Sequence, residues 1–275
     1  MDNQDCHQNY NQYVNQVIEI AKAAGAAIMQ VYSTDFDVEK KDDNSPLTQA
    51  DLAAHHVIVN ALTKLTPNIP ILSEESVALD YDIRKEWSQY WLIDPLDGTR
   101  EFVKRNGEFT VNIALIDGQQ SVLGVVYAPV TDVLYFASTT HGAYKQIAGN
   151  EAVKIHTKLL DLKQPVIAGS RSHTDEKMQI FMRNIEHQLG VKPELISMGS
   201  SLKICLVAEG VADVYPRLGP TSEWDTAAAH CVLSEAGGDI VDEAGLTLRY
   251  NSKRSLLNPY FFAKSAGEIN WANYL

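Results

Sequence analysis

The sequence predicts an α+β fold in which helices and sheets alternate in layers. Near the N-terminus, apolar residues recur every three or four positions, as on one face of a helix. Residues 109–155 contain β-rich runs separated by turn residues. Beyond about residue 160, short strands and helices alternate, which indicates a sheet covered on its faces.

The first two elements are helices. Apolar residues spaced along residues 14–31 predict a long helix, and those from Asp51 to Leu65 predict a second one. Between them, residues 40–46 are polar and lack any hydrophobic period, so they are interpreted as a loop.

Short strands and a meander follow. Ile71-Leu72 and Trp91-Leu92-Ile93 read as buried strands, and each leads directly into acidic residues. From residue 109 to residue 155, Asp117-Gly118, Ala128-Pro129 and His141-Gly142 separate apolar runs, which predicts an antiparallel meander.

The second half alternates between strands and helices. The predicted elements are a strand at 166–168, a helix at 175–189, a strand at 195–197, a helix at 202–209, a strand at 212–215, a helix at 224–236 and a strand at 239–241. We therefore expect a single unit, residues 1–275, with lobes at 1–160 and 161–275 and no flexible linker.

Composition excludes several classes of function. A formal charge of -12 would repel a nucleic-acid polymer or an anionic membrane surface. Three scattered cysteines fit a reducing compartment better than a disulfide framework. Neither a signal peptide nor an apolar run of about 20 residues is found. We expect a cytoplasmic protein without an integral membrane segment, and peripheral association with the inner membrane stays compatible with the sequence.

The segment Asp94-Pro95-Leu96-Asp97-Gly98-Thr99 is the first candidate for chemistry. It follows a buried strand, and its proline and glycine favour a sharp turn that aims both carboxylates the same way. Asp, Pro and Gly are also ordinary turn residues. The segment alone therefore indicates a structural turn more often than a site.

Three further acidic features strengthen the case for a site. Glu74-Glu75 follows the strand Ile71-Leu72, Asp225 opens an Ala-rich helix, and Asp51 opens the second helix. Each has an ordinary alternative, because paired glutamates are usually solvated and acids at helix N-termini are favoured by the helix dipole.

The ligand types favour Mg2+ over zinc. Mg2+ prefers oxygen ligands and is normally held by a few carboxylates together with substrate phosphate. The chain has no Cys-rich or His-rich set: His55-His56 lacks the spacing of a zinc motif, and His230 lies on a different helix face from Asp225. The histidines are interpreted as packing or surface residues.

Three motifs together resemble the inositol monophosphatase family of lithium-sensitive, Mg2+-dependent phosphatases. They are Glu74-Glu75-Ser76, residues 91–99 and residues 223–228, and they occur in the family's order. The resemblance implies the family's layered sandwich of helices and sheets. A haloacid-dehalogenase mechanism is disfavoured, because that class uses Asp-x-Asp-x-Thr, whereas here the two acids are three positions apart.

The resemblance implies a role for each acidic residue. One Mg2+ would be held by Glu74, Asp94 and the Leu96 carbonyl, and a second by Asp94, Asp97 and Asp225. Two such cations would activate water and stabilise the attacking and leaving oxygens. Asp51 and Thr99 would orient and deprotonate the water, and the Gly98 and Thr99 N–H groups would bind phosphate oxygens.

Basic residues in the second lobe bear on the substrate. From residue types alone, Arg171, Lys203 and Arg217 would most often pair with surface acids. However, residues 199–210 and 213–228 are similar to the family's bacterial 3'(2'),5'-bisphosphate nucleotidase branch. By that likeness His173, Ser200, Lys203 and Arg217 would line a nucleotide pocket. Ala229 departs from the glycine common at that position, and its methyl group could alter helix packing or pocket shape.

The function expected from this resemblance is removal of the 3'-phosphate of adenosine 3',5'-bisphosphate (PAP), which yields AMP and phosphate in sulfate assimilation. The sulfated nucleotide PAPS is left open as a second substrate. Alternatives are an inositol or sugar monophosphatase of the same fold and a non-catalytic metal-binding protein. A monomer and a homodimer are both compatible with the sequence.

Overall fold

Helices and sheets alternate in five layers in the computed structural model, which describes residues 9–34, 38–40, 46–76, 79–170 and 176–275. The helices are α1 (Val14–Tyr32), α2 (Gln49–Leu65), α3 (Tyr81–Arg84), α4 (Thr99–Val103), α5 (Glu176–Leu189), α6 (Leu202–Ala208) and α7 (Glu223–Glu235). Short 3-10 turns cover Tyr10–Tyr13 and Trp271–Tyr274. This architecture confirms the predicted α+β layered sandwich.

The strands form two large sheets and a small hairpin. They are β1 (Val38–Lys40), β2 (Pro46–Thr48), β3 (Ile71–Ser73), β4 (Gln89–Asp97), β5 (Thr110–Asp117), β6 (Gln120–Ala128), β7 (Val133–Ser138), β8 (Gly142–Ile147), β9 (Val153–Ile155), β10 (Val166–Gly169), β11 (Glu194–Ser197), β12 (Val214–Arg217), β13 (Asp239–Asp242) and β14 (Phe261–Lys264).

The larger sheet has seven strands in the order β3-β4-β5-β6-β7-β8-β9. Strands β3 and β4 are parallel, and every later pair is antiparallel. The meander predicted for residues 109–155 is therefore confirmed. Both faces of this sheet are buried, because Trp91 and Ile93 contact α1 and α2 while Tyr90 and Leu92 face the opposite layer.

The smaller sheet has five strands in the order β11-β10-β12-β14-β13. Strands β11, β10 and β12 are parallel, whereas β14 is antiparallel to both of its neighbours. Helix α5 packs on the outer face, where Phe181 contacts Phe262. Helices such as α5 cover the parallel strands, as the strand and helix alternation predicts.

Helices α6 and α7 form the central layer between the two sheets. Ala227, Ala228 and Ala229 on α7 are buried, and their small side chains allow a close approach to β6. A Cβ atom at Gly124 on β6 would lie 2.1 Å from the Ala228 carbonyl oxygen. This contact fixes the position of α7, the helix that carries Asp225.

Several predicted boundaries were wrong. Strand β4 continues to Asp97 with a register shift after Asp94, so the expected turn is an irregular strand end. The supposed loop at 40–46 begins and ends in paired strand residues, because Lys40 pairs with Pro46, and residues 41–45 lie outside the described part. Strand β14 was missed, since its short apolar run gains strand character only by pairing with β12 and β13.

Candidate metal centre and adjoining cleft

Three carboxylates from distant parts of the chain converge between the two sheets. Glu74, Asp94 and Asp225 each contribute one oxygen, and these three oxygens all lie within 4.8 Å of one another. Asp94 is buried, and the other two side chains are half-buried. Clustering of this kind is expensive without a compensating positive charge.

Sheet pairing places the first two carboxylates. Glu74 follows β3, and its N–H donates to the Ile93 carbonyl oxygen over 3.2 Å, which holds it beside the end of β4. Within β4, Asp94 Oδ1 accepts from the Leu96 N–H at 3.1 Å. The register shift between Asp94 and Asp97 turns this strand end toward the cluster.

A helix cap places the third carboxylate. Asp225 is the third residue of α7, and its Oδ2 accepts from the Ser222 N–H at 2.8 Å in a capping box. The ordinary interpretation of Asp225 as a helix N-terminal acid is therefore correct. The capping bond fixes the side chain so that it reaches both the cluster and the cleft.

The electrostatics of the cluster oppose ionisation. Burial, followed by the charges of Glu74, Asp97 and Asp225, raises the pKa of Asp94 well above its ordinary value. Burial, followed by the charges of Asp97 and Glu74, raises the pKa of Asp225 to about 8. Carboxylates held together at this cost fit a divalent cation, whose charge would offset their repulsion.

Asp51 and Thr99 meet at the edge of the cluster. Asp51 Oδ2 accepts from the Thr48 N–H at 2.8 Å and from Thr48 Oγ1 at 2.6 Å, which caps α2. Its Oδ1 lies 3.3 Å from Thr99 Oγ1, the same distance that separates Thr99 Oγ1 from the Leu96 carbonyl oxygen. The single hydroxyl proton of Thr99 can serve only one of these acceptors at a time.

Asp97 lies outside the group of three and is held differently. Its Oδ2 accepts from the Ser201 N–H at 2.5 Å and from Asn112 Nδ2 at 3.3 Å. Burial raises the pKa of Asp97, although Lys203 and these two donors act in the opposite direction. Asp97 therefore connects the acidic cluster to the basic side of the site.

A cleft of about 510 Å3 opens from the acidic cluster toward the second lobe. Its walls include Asp97, Gly98, Thr99, Ser200, Lys203, Arg217 and Asp225. The cleft thus joins candidate residues from the two lobes in one space. This volume suits a ligand larger than a phosphate ion.

Two of the basic residues that line the cleft, Lys203 and Arg217, are held in place. Lys203 is 6% exposed, donates to the Ser200 carbonyl oxygen over 2.7 Å and lies 5.2 Å from the centre of the Tyr215 ring. Arg217 donates to the Pro220 carbonyl oxygen over 2.8 Å, and its buried Nε has no hydrogen-bond partner among the described residues. Residue types alone predicted that Lys203 and Arg217 pair with surface acids, but these hydrogen bonds go to backbone oxygens instead.

Other residues named from the sequence have clear outcomes. His173 and Arg171 lie outside the described residues. Ala229 packs in the central core and is not among the cleft-lining residues, so its methyl group bears on helix packing. His230 is a packing residue, as expected, since its ring nitrogens contact Tyr250 and Asp239.

The sequence interpretation missed the polar residues that surround Asp97. Thr110, Asn112 and Ser201 are 0%, 1% and 3% exposed and form hydrogen bonds with one another or with Asp97. A signal was available, because Thr110 and Asn112 interrupt an otherwise apolar strand. Their contacts with Ser201 could not be foreseen from spacing.

The five-layer fold and the acidic cluster at the end of β4 are those of a metal-using phosphatase class, and the comparisons agree. The model of the inositol monophosphatase family matches residues 9–270. The chain belongs to the inositol monophosphatase family, whose enzymes use metal ions.

Within that family the chain is similar to bacterial CysQ proteins. It is 49% identical over 251 residues to the 3'(2'),5'-bisphosphate nucleotidase CysQ of Salmonella typhimurium, covering 90% of this chain and 98% of that protein. The corresponding Buchnera aphidicola protein is 40% identical over 260 residues, covering 93% of this chain and 95% of that protein. The crystal structure of CysQ from Bacteroides thetaiotaomicron superposes with a TM-score of 0.82 at 42% identity, covering 94% and 99% of the two chains.

In the described ranges, none of the helices combines the length and apolar character that crossing a bilayer requires.

Proposed function

We propose that this protein hydrolyses the 3'-phosphate of PAP to give AMP and phosphate, with Mg2+ as its cofactor and Li+ as an inhibitor. The observation that carries the proposal is the shared cleft, whose lining includes the carboxylates of Asp97 and Asp225 and the cationic side chains of Lys203 and Arg217. A substrate with two phosphates would engage both kinds of group. The similarity to CysQ nucleotidases supports the same substrate.

Glu74, Asp94, Asp225 and Asp97 would hold the metal ions, together with the Leu96 carbonyl oxygen. When bound, Mg2+ would neutralise phosphate oxygens and increase the acidity of water. The residues present suit it, since all are oxygen donors and three of them already converge within 4.8 Å.

Asp51 and Thr99 would handle the proton of the attacking water. Thr99 Oγ1 donates toward Asp51 Oδ1 over 3.3 Å, so its own proton can pass to the carboxylate as it takes one from water. The water oxygen then bonds to phosphorus as the bond from phosphorus to the 3'-oxygen breaks. The 3'-oxygen takes up a proton from solvent water to become the 3'-hydroxyl, and the proton held by Asp51 is released to solvent. The cap on Asp51 Oδ2 keeps Oδ1 aimed at Thr99.

Lys203 and Arg217 would bind the 5'-phosphate. Arginine can contact a phosphate through two N–H groups, whereas lysine acts as a point charge. Ser200 lies beside Lys203 and lines the same wall. We include His173 in this pocket on the resemblance alone, and Gly98 and Thr99 would supply N–H groups to the 3'-phosphate.

The direct test measures phosphate release from PAP, adenosine 3'-monophosphate, AMP and inositol 1-phosphate, with Mg2+ and then with added Li+. We expect rapid release from PAP, inhibition by Li+, slower but measurable release from adenosine 3'-monophosphate, and little release from AMP and inositol 1-phosphate. Preference for inositol 1-phosphate would favour an inositol or sugar phosphatase instead. No release from any substrate would favour a metal-binding protein without catalysis.

A substitution at Lys203 tests the proposed 5'-phosphate contact separately from the metal site. Lys203→Met keeps the apolar stem but removes the charge, so we expect KM for PAP to rise about 10-fold or more, because a charge-assisted contact is lost. Turnover of adenosine 3'-monophosphate, which lacks the 5'-phosphate, should change little. Lys264→Met is the matched control, since Lys264 also donates to a backbone oxygen, that of Gly267 at 2.8 Å, but does not line the cleft. Equal losses on both substrates would contradict the role of Lys203.

A further inference from the structure

A chain of buried polar groups lies behind Asp97 and crosses from one lobe to the other. Thr110 and Asn112 are on β5, whereas Ser201 is the N-cap residue of α6. Thr110 Oγ1 lies 2.9 Å from Ser201 Oγ, and Ser201 Oγ lies 3.0 Å from Asn112 Oδ1. Asn112 Nδ2 then reaches Asp97 Oδ2 at 3.3 Å.

The donor and the acceptor of every hydrogen bond in this row of polar groups are fixed. A carboxylate only accepts, so the Asn112 amide must present its NH2 to Asp97 and its oxygen to Ser201. The Ser201 hydroxyl must therefore donate to Asn112, and the Thr110 hydroxyl must donate to Ser201. All three bonds point toward one oxygen of Asp97.

A second donor reaches the same oxygen from the backbone. The Ser201 N–H lies 2.5 Å from Asp97 Oδ2. Among the residues that the structure describes, the side-chain hydrogen bonds of Asp97 all end on Oδ2. Oδ1 is therefore the oxygen that these contacts leave for the cation site.

These buried polar groups depend on one another for hydrogen-bond partners. A buried hydroxyl or amide costs about 1–3 kcal/mol when it lacks a partner, and neighbouring positions on β5 are apolar. Valine in place of Thr110 or leucine in place of Asn112 would therefore leave Ser201 or Asp97 with fewer partners. The three side chains form one network that ends on Asp97.

We propose that Thr110, Asn112 and Ser201 are positioning residues that orient Asp97 for metal binding, and that the N-terminal turn of α6 sets this orientation from the opposite lobe. The inference rests on the metal-binding part of the proposed function. Since Ser200 and Lys203 belong to the same turn, the metal site and the basic wall of the cleft share one support. None of the three residues needs to touch the substrate through its side chain.

The test measures Mg2+ binding without substrate, by calorimetry and by the rise in melting temperature. Asn112→Leu removes the side-chain donor to Asp97, and we expect the dissociation constant for Mg2+ to increase about 10-fold, as for other partners of metal ligands. Ser201→Ala and Thr110→Val should give smaller increases in the same direction. Thr110→Ser keeps the hydroxyl and should restore the wild-type constant.

A matched control separates positioning from general stability. Ser121→Ala also removes a half-buried hydroxyl, one that donates to the Ala227 carbonyl oxygen over 2.7 Å, and it should leave Mg2+ binding unchanged. Variants at Thr110, Asn112 and Ser201 that melt earlier but bind Mg2+ as tightly as the wild type would overturn the inference. A protein that binds Mg2+ but does not hydrolyse PAP would contradict the proposed substrate. The effect of these variants on Mg2+ binding could still be interpreted, because it is measured without substrate.

Discussion

Among the described residues, aspartate side chains lie in contrasting environments. Asp94 faces other carboxylates, and Asp51 caps a helix. Burial raises the pKa of Asp239, but hydrogen bonds from His230 and Thr247 outweigh that effect and leave the pKa below its ordinary value. The same substitution, aspartate to asparagine, should therefore have opposite effects at different positions.

We expect Asp94→Asn to stabilise the metal-free protein. The change removes a negative charge from a group of three carboxylates while keeping the shape of the side chain. At neutral pH the free energy of unfolding in EDTA should increase by about 1–3 kcal/mol, because a buried acid with a raised pKa destabilises the folded state there. The stabilisation that Mg2+ gives the wild type should be lost. Denaturant titrations in EDTA and in Mg2+ measure both effects.

Asp239→Asn provides the opposite case. Asparagine there loses the charge that pairs with His230 Nε2 at 3.0 Å, so we expect a loss of about 1 kcal/mol in EDTA and an unchanged response to Mg2+. A lower stability of Asp94→Asn in EDTA would show that its carboxylate is already compensated within the chain.

At the scale of elements, the acidic site depends on how closely α7 approaches β6. Gly124 leaves room for the Ala228 carbonyl oxygen, and the buried face of α7 consists of small residues near this contact. The capping box at Ser222 then fixes the orientation of Asp225. A displacement of α7 would therefore move Asp225 relative to Glu74 and Asp94.

Gly124→Ala should be strongly destabilising. The added methyl group would clash with the backbone carbonyl of Ala228, which cannot move aside as a side chain can. We therefore expect a loss of about 3 kcal/mol in the free energy of unfolding and weaker Mg2+ binding. Gly149→Ala is the comparison, because Gly149 has a φ of 69° but nothing within 4 Å of the added Cβ. It should lose only about 1 kcal/mol through backbone strain, with normal Mg2+ binding. Equal losses would contradict the packing argument, and thermal and chemical denaturation of both variants measure it.

At the scale of the whole molecule, the two predicted lobes share a core. Along the chain, strands β3 to β9 form the seven-stranded sheet, and strands β10 to β14 form the five-stranded sheet. However, α6 and α7 from the second half pack against strands of the first half. The apolar surface of either lobe would be exposed if the other unfolded.

We therefore expect the protein to unfold as one cooperative unit. Trp91 lies in the core beside α1 and α2, whereas Trp271 lies in the core beside α5, so the two report on opposite sides of the molecule. Denaturation curves of single-tryptophan variants at these positions should coincide with the curve from far-UV circular dichroism. Separate transitions would show instead that the lobes are independent domains.

Much of the fold followed from local patterns. The periodicity at 14–31 predicted α1 to within one residue at its C-terminus, and turn residues located the meander. Strand β14 and the continuation of β4 to Asp97 were missed, because both depend on pairing with strands elsewhere in the chain. The local pattern of apolar residues indicates which face of a segment is buried, but it does not indicate which strand pairs with that segment.

The sequence by itself determined the family, and it predicted which acidic segments form the site, because their motifs and order resemble those of one phosphatase family. Only the tertiary structure decided which side chains meet. It brings Glu74, Asp94 and Asp225 together, holds Asp97 apart on Ser201 and Asn112, and places Lys203 and Arg217 in the same cleft as Asp97 and Asp225. A sequence motif reports residue types and their spacing along the chain. The distances between these side chains depend instead on the packing of α6 and α7 between two sheets.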